Sequence, residues 1–152
     1  MPPLKVGLLK AQPQDVLELD ELCSFVQKKS HKKWIWIALC RRNRQVIAYI
    51  VGDRSKKSCK KLWKRIPQAY KTCQTFSDFW DSYQRVFPAI THTSVGKETG
   101  ETARVERWNN TLRQRLARFV RKTLSFSKKN KFHKMVLKIF IWNYNQYAIS
   151  RF

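Results

Sequence analysis

Near the start of the chain, three apolar segments lie too close together for more than one kind of connection. Residues 15–26 (DVLELDELCSFV) alternate with a period of two, as a half-buried strand does. Residues 34–40 (WIWIALC) are continuously apolar, the pattern of a strand covered on both faces. Residues 45–51 (QVIAYIV) read as a third strand. The links QKKSHKK and RRNR are shorter than the roughly dozen residues that a crossover helix needs, so an antiparallel meander is expected. On its first strand Val16, Glu18, Asp20 and Leu22 share one face.

Beyond the meander, strands alternate with helices. Gly52-Asp53-Arg54-Ser55 turns the chain into a helix that Asp53 or Ser55 caps; Cys59, Leu62, Trp63 and Ile66 form its apolar stripe and Pro67 ends it. Residues 72–77 fit a short strand, 79–87 a short aromatic helix stopped by Pro88, and 89–95 a fifth strand. Residues 102–122 are a long helix with two stripes. One is apolar (Val105, Trp108, Leu112, Leu116, Phe119 and Val120), and the other holds Glu106, Asn109, Asn110 and Arg113. A polar turn at 124–130 precedes a last helix, 132–147, with Phe132, Met135, Val136, Ile139 and Phe140 facing inward. This order predicts an α/β fold, a ribonuclease-H-like mixed five-stranded sheet flanked by helices. Residues 1–14, Pro-punctuated and weakly patterned, are expected to be a frayed lead-in or a truncated connection, and 15–152 one domain.

Charge points to the partner. Thirty-two Lys and Arg against ten acids leave a net charge of +22, spread along the whole chain. A folded domain so charged is expected to meet a polyanion, and nucleic acid fits better than a membrane surface because no apolar run reaches membrane-spanning length. The cysteines at 23, 40, 59 and 73 lack metal-finger spacing and are expected to be reduced thiols in a cytoplasmic protein. Histidines 31, 92 and 133 also lack ligand spacing; His133 is a candidate phosphate contact. There is no Gly-rich phosphate loop and no nucleophile elbow, which argues against ATP use and Ser/Cys hydrolysis.

Ten acids can each be weighed. Metal-assisted phosphodiester chemistry needs carboxylates converging from separate elements on two Mg²⁺ ions, with Mn²⁺ as a substitute. Asp20 lies mid-strand, Asp78 at a strand end, and Glu106 on the long helix. Each also has a plainer reading: an ion pair for Asp20, a helix cap for Asp78, a solvated ion pair for Glu106. Glu18 and Glu21 replace Asp20 if the strand register differs, and Glu101 is the alternative to Glu106.

Five blocks then carry a resemblance: LELDELCSFV (17–26), WIWIALCRR (34–42), VIAYIVGDRS (46–55), SDFWDSY (77–83), and VERWNNTLRQRLARFVRKTLSFSK (105–128) followed by His133. In this order they resemble the insertion-sequence-one (InsB type) transposases of the Asp-Asp-Glu superfamily, over residues 15 to 147 or so. The resemblance implies a catalytic and metal-binding triad of Asp20, Asp78 and Glu106, with Trp80 and Tyr83 packing behind Asp78. It implies DNA contacts from Arg113 and from Asn109, Asn110, Arg107 and His133. The implied reaction is cleavage at the element's terminal inverted repeats to free a 3′-hydroxyl, then attack of that hydroxyl on target DNA. It further implies self-association on paired DNA ends, action in the cytoplasm at the bacterial nucleoid, and a DNA-reading N-terminal region supplied by a frameshift fusion. The competing expectation is a non-catalytic basic DNA-binding fragment that competes at element ends.

Overall fold

The computed structural model describes the backbone of residues 2–25, 32–122 and 130–150, and the side chains within them except at 24, 25, 32, 116–122 and 130–133. The strands are β1 (Val16–Phe25), β2 (Lys32–Cys40), β3 (Val46–Gly52), β4 (Gln74–Ser77) and β5 (His92–Ser94). The helices are α1 (Lys56–Arg65), α2 (Asp81–Val86), α3 (Ala103–Lys122) and α4 (Asn130–Ser150). The sheet order is β3-β2-β1-β4-β5. The first three strands form the expected antiparallel meander, and β4 and β5 add in parallel to β1. This is the mixed five-stranded α/β architecture expected from the order of elements.

The period of two sorts side chains onto two layers. Leu17, Leu19, Trp36, Ala38, Cys40 and Ile50 pack with Cys59, Leu62 and Ile66 of α1 and with Tyr83 of α2. On the opposite face Leu22, Ile35, Ile37 and Leu39 pack against Val105, Trp108 and Leu112 of α3 and Leu137 and Ile141 of α4. Hence β2 is apolar without a break from Trp34 to Cys40: both of its faces are covered there. Asp53 and Ser55 share the start of α1. Ser55 accepts from the Ser58 amide, while the Asp53 carboxylate accepts from both serine hydroxyls.

Three expectations change. Strand β5 is shorter than 89–95, because the amides of Thr91 and His92 turn back onto the Pro88 carbonyl. Helix α2 begins at Asp81, since the preceding residues form a turn around Asp78. On α4, Met135 and Ile139 are exposed and Leu137 and Ile141 are buried instead. That helix is apolar on nearly every side, so spacing alone does not set its phase. The expected turn at 124–130 falls, but for Asn130, outside the described residues, as do the side chains of Leu116, Phe119, Val120, Phe132 and His133.

The lead-in is docked, not frayed. Leu4 packs on the α3/α4 layer, while Leu8 and Ala11 pack on the other. Gln45, fully buried, accepts from the Leu9 amide (2.8 Å) and donates to the Gly7 carbonyl (3.0 Å). A methyl group at Gly7 would stand 2.6 Å from the Gln146 side chain and 3.1 Å from the Trp142 ring, so a larger residue there must push aside the end of Gln146 and press on the Trp142 ring. Asn145 of α4, also fully buried, donates to the Val46 carbonyl (2.9 Å) and accepts from the Val46 amide (2.7 Å). Its amide thus takes the place of a neighbouring strand at the first residue of edge strand β3. Asn145→Leu leaves both Val46 groups without partners, and urea unfolding should show a loss of about 2–4 kcal/mol; an unchanged midpoint would remove Asn145 from this role.

Candidate metal centre

The register of the parallel pair decides which acids meet. β1 and β4 pair Val16 with Gln74, Leu17 with Thr75 and Glu18 with Phe76. Continuing two places brings Asp78 level with Asp20 on the neighbouring strand. The carboxylates of Asp20, Glu21 and Asp78 accordingly gather, with one oxygen from each within 4.8 Å of the others.

Neighbouring groups separate the three acids by role. Glu21 is held in place: it accepts from the Tyr83 hydroxyl (2.5 Å) and pairs with Arg54 (3.0 Å). The Arg54 guanidinium stacks over Trp80 (3.9 Å) and Trp34 (4.7 Å). Trp80 and the fully buried Tyr83 therefore pack behind the carboxylates. Asp20 and Asp78 have no ion pair among the described residues, although the chain carries 32 cations. Asp20 accepts from its neighbour's amide (Glu21, 2.9 Å) and from the Asn109 side chain (2.8 Å). Asp78 accepts from the Trp80 amide (3.0 Å), an Asx turn and not the cap of α2. Behind it, His92 is bonded through both ring nitrogens to the hydroxyls of Thr75 (2.7 Å) and Ser77 (3.0 Å). Burial lowers the His92 pKa to about 4, so the ring is neutral at physiological pH.

Burial pushes the Asp20 carboxyl up to about 7, and the Glu21 and Asp78 charges push the same way; the Asn109 hydrogen bond opposes them. Glu21 is raised as well, chiefly by burial, against the pull of Tyr83 and Arg54. Gathered carboxylates offer hard oxygens, and two of them, Asp20 and Asp78, have no arginine partner among the described residues, which is a donor set that fits a hard divalent cation.

The other expected residues fall into place as follows. Glu106 lies half-buried in the first turn of α3, where it accepts from the Thr102 hydroxyl (2.9 Å), and it stands outside the gathered group. Asn109, one turn further, is 3 % exposed; its amide is spent on Asp20, not presented at the surface to DNA. Arg107, Asn110 and Arg113 are exposed on the same helix. The side chain of His133 lies outside the described residues.

Two positions take other places than expected. Glu21, considered above only as a stand-in for Asp20, joins the group beside it through tertiary partners 33 and 62 residues away. Asn109 carried a usable signal: it follows Val105 by four and precedes Leu112 by three, so it shares the buried stripe as well as the polar one. Glu18, considered above only as a stand-in for Asp20, is fully buried and serves α3 instead.

Known proteins are similar to this chain in sequence. A family model described as IS1 transposase matches residues 15–148. The insertion element iso-IS1n protein InsB of Shigella dysenteriae is 37% identical over 128 residues, covering 83% of this chain and 93% of that protein. The IS1 protein InsB of Shigella flexneri is 34% identical over 120 residues, 79% of this chain and 88% of that protein. The IS1 4 protein InsB of Escherichia coli (strain K12) is 32% identical over 120 residues, 79% and 70% respectively.

The raised Asp20 pKa gives a signed prediction. Between about pH 4 and 7 the folded state holds a proton that the unfolded state has released, so Asp20 costs progressively more stability as pH rises through that window. Without divalent metal, Asp20→Asn should be more stable than the parent at pH 8 by about 4 kcal/mol, with the gain gone near pH 4. Urea titrations with EDTA at the two pH values measure this, and a gain independent of pH would contradict it.

Proposed function

The chain belongs to the IS1 transposase family, and from that premise we propose that it is the catalytic portion of a DNA transposase. It cleaves at the terminal inverted repeats of its element and transfers the freed strands to target DNA with divalent metal. The observation that carries this reading is the level pair Asp20 and Asp78, without an ion-pair partner among the described residues in a chain of net charge +22.

Asp20 and Asp78, with Glu106 from α3, would hold the ions. Divalent ions held there would supply Lewis acidity toward the attacking and leaving oxygens. The chain's own groups do the rest. Asn109 and the Glu21 amide each occupy one Asp20 oxygen and so fix the orientation of that carboxylate. Arg54 and Tyr83 hold Glu21, keeping its charge beside the pair. The backbone turn to Trp80 orients Asp78.

In the first step water attacks phosphorus, a P–O bond forms to it, and the bond to the 3′-oxygen breaks, freeing the 3′-hydroxyl. In the second, that hydroxyl forms the new P–O bond at a target phosphate and the target's own 3′-oxygen leaves. No protein–DNA covalent bond enters either step, and the protein's contribution is positioning and charge neutralisation. The exposed Arg107, Asn110 and Arg113, with His133, are assigned to DNA, and unpaired lysines and arginines add phosphate contacts that weaken steeply with salt. Reading of the repeat sequence is assigned to an N-terminal region fused by frameshifting, and pairing of the two ends to a second copy, in the cytoplasm at the nucleoid. No described helix is long and apolar enough to cross a membrane.

One observation favours the second reading, a DNA-binding competitor without catalysis: Glu106 stands outside the gathered carboxylates. Strand transfer separates the two. With a pre-cleaved terminal-repeat duplex, plasmid target and Mg²⁺ or Mn²⁺, the chain fused to its DNA-reading region should join ends. Asp20→Asn, Asp78→Asn and Glu106→Gln should each lower joining on the order of 100-fold or more, and EDTA should abolish it. Binding without joining by the parent fusion would establish the competitor instead.

A further inference from the structure

We propose that Phe79 is a stacking platform for an unstacked DNA base beside the phosphodiester handled at Asp20 and Asp78. The proposal rests on the functional reading above and deepens it. Asp78 closes a turn onto the Trp80 amide (3.0 Å), which makes Phe79 the apex. The aromatics that follow are otherwise occupied: Trp80 lies against Arg54, Tyr83 is fully buried, and Phe87 is 3 % exposed among Trp63, Tyr83 and His92. Phe79 is 64 % exposed. A large apolar ring is held in water at the residue next to a gathered carboxylate, and the local hydrogen bonding keeps it there.

Distance identifies the occupant. Adjacent Cα atoms are ~3.8 Å apart, so the Phe79 ring lies within roughly 10 Å of the Asp78 oxygens. Phosphates of one strand follow each other every ~3.4 Å along the helix axis, so a phosphate at the carboxylates brings neighbouring nucleotides into reach of the ring. Phenylalanine offers nothing to a phosphate, but every base has a face on which it can stack. In a surface otherwise built to attract a polyanion, this is a contact that salt does not screen.

The test reads stacking without catalysis. Pre-cleaved terminal-repeat duplexes carry 2-aminopurine at one of the three nucleotides nearest the 3′ end and are bound by the fused protein with Ca²⁺ in place of Mg²⁺. The parent and Phe79→Trp should quench the fluorescence at one of these positions. Phe79→Ala should lose the quench and bind frayed ends roughly 5- to 100-fold more weakly, with an unchanged thermal unfolding midpoint because the ring leaves no core. Equal quench and affinity in Phe79→Ala overturn the proposal. So does a change in sedimentation of the DNA-free protein without a change in quench, which would make Phe79 a protein contact. Joining assays in Mg²⁺ keep the two readings apart. Joining by the parent with a silent Phe79→Ala removes only the platform; a Phe79-dependent quench without any joining removes only the catalytic reading.

Discussion

The architecture depends on one buried carboxylate that performs no chemistry. Glu18 is fully buried on β1, and each of its oxygens has two donors. One oxygen accepts from the amides of Arg104 and Val105, at the first turn of α3; the other accepts from the side chains of Arg41 and Arg104. Helix starts leave amides without partners, and here a strand side chain 86 residues away supplies the cap. Arg41, in the β2–β3 hairpin, also donates to the carbonyl and carboxylate of Glu101, just ahead of the helix. One residue on the strand thus sets where α3 begins over the sheet. Asp20, two residues along on the same face, then meets Asn109 of that helix.

Neighbouring acids on one strand have opposite fates because a strand turns successive side chains to opposite faces. Glu21 turns toward the α1/α2 layer, where Tyr83 and Arg54 await it. Asp20 turns toward α3, where it finds only an amide. A carboxylate compensated by arginine is a poor place for a cation, whereas one merely oriented by an amide keeps its charge available. The two roles come from the pleat of the strand and not from any difference between the two acids as groups.

What could be read from residues alone was whatever depends on near neighbours. The three strands were plain because alternation and short links act within a few residues, and so was α3, whose stripes repeat over twenty. Asp20 and Asp78 stood out because acids are scarce and each sits at a definite place in a strand. The phase of α4 is only partly legible: Val136 and Phe140 pack inward as expected, but Leu137 and Ile141 take the buried places expected for Met135 and Ile139 on a helix apolar almost all round. Gln45 and Asn145 gave no signal: their partners lie up to 100 residues away, and an amide reads as surface in sequence. Glu106 was a candidate from its stripe and its scarcity, and the resemblance added it to the ligand set; its side chain is bonded to Thr102.

The two kinds of cation are used differently. Every ion pair among the described residues employs arginine (41, 42, 54, 85 and 104), and none employs lysine. A planar guanidinium can satisfy several acceptors at fixed angles, and Arg41 does so with both Glu18 and Glu101. An ammonium on a flexible stem has no such directional demand. The framework arginines 41, 42, 54 and 104 are therefore tied to place, whereas the lysines matter by number. Evolution can shuffle lysines from one exposed position to another with little consequence, because an ion atmosphere responds to their total; an arginine lost from the framework has no substitute elsewhere on the surface.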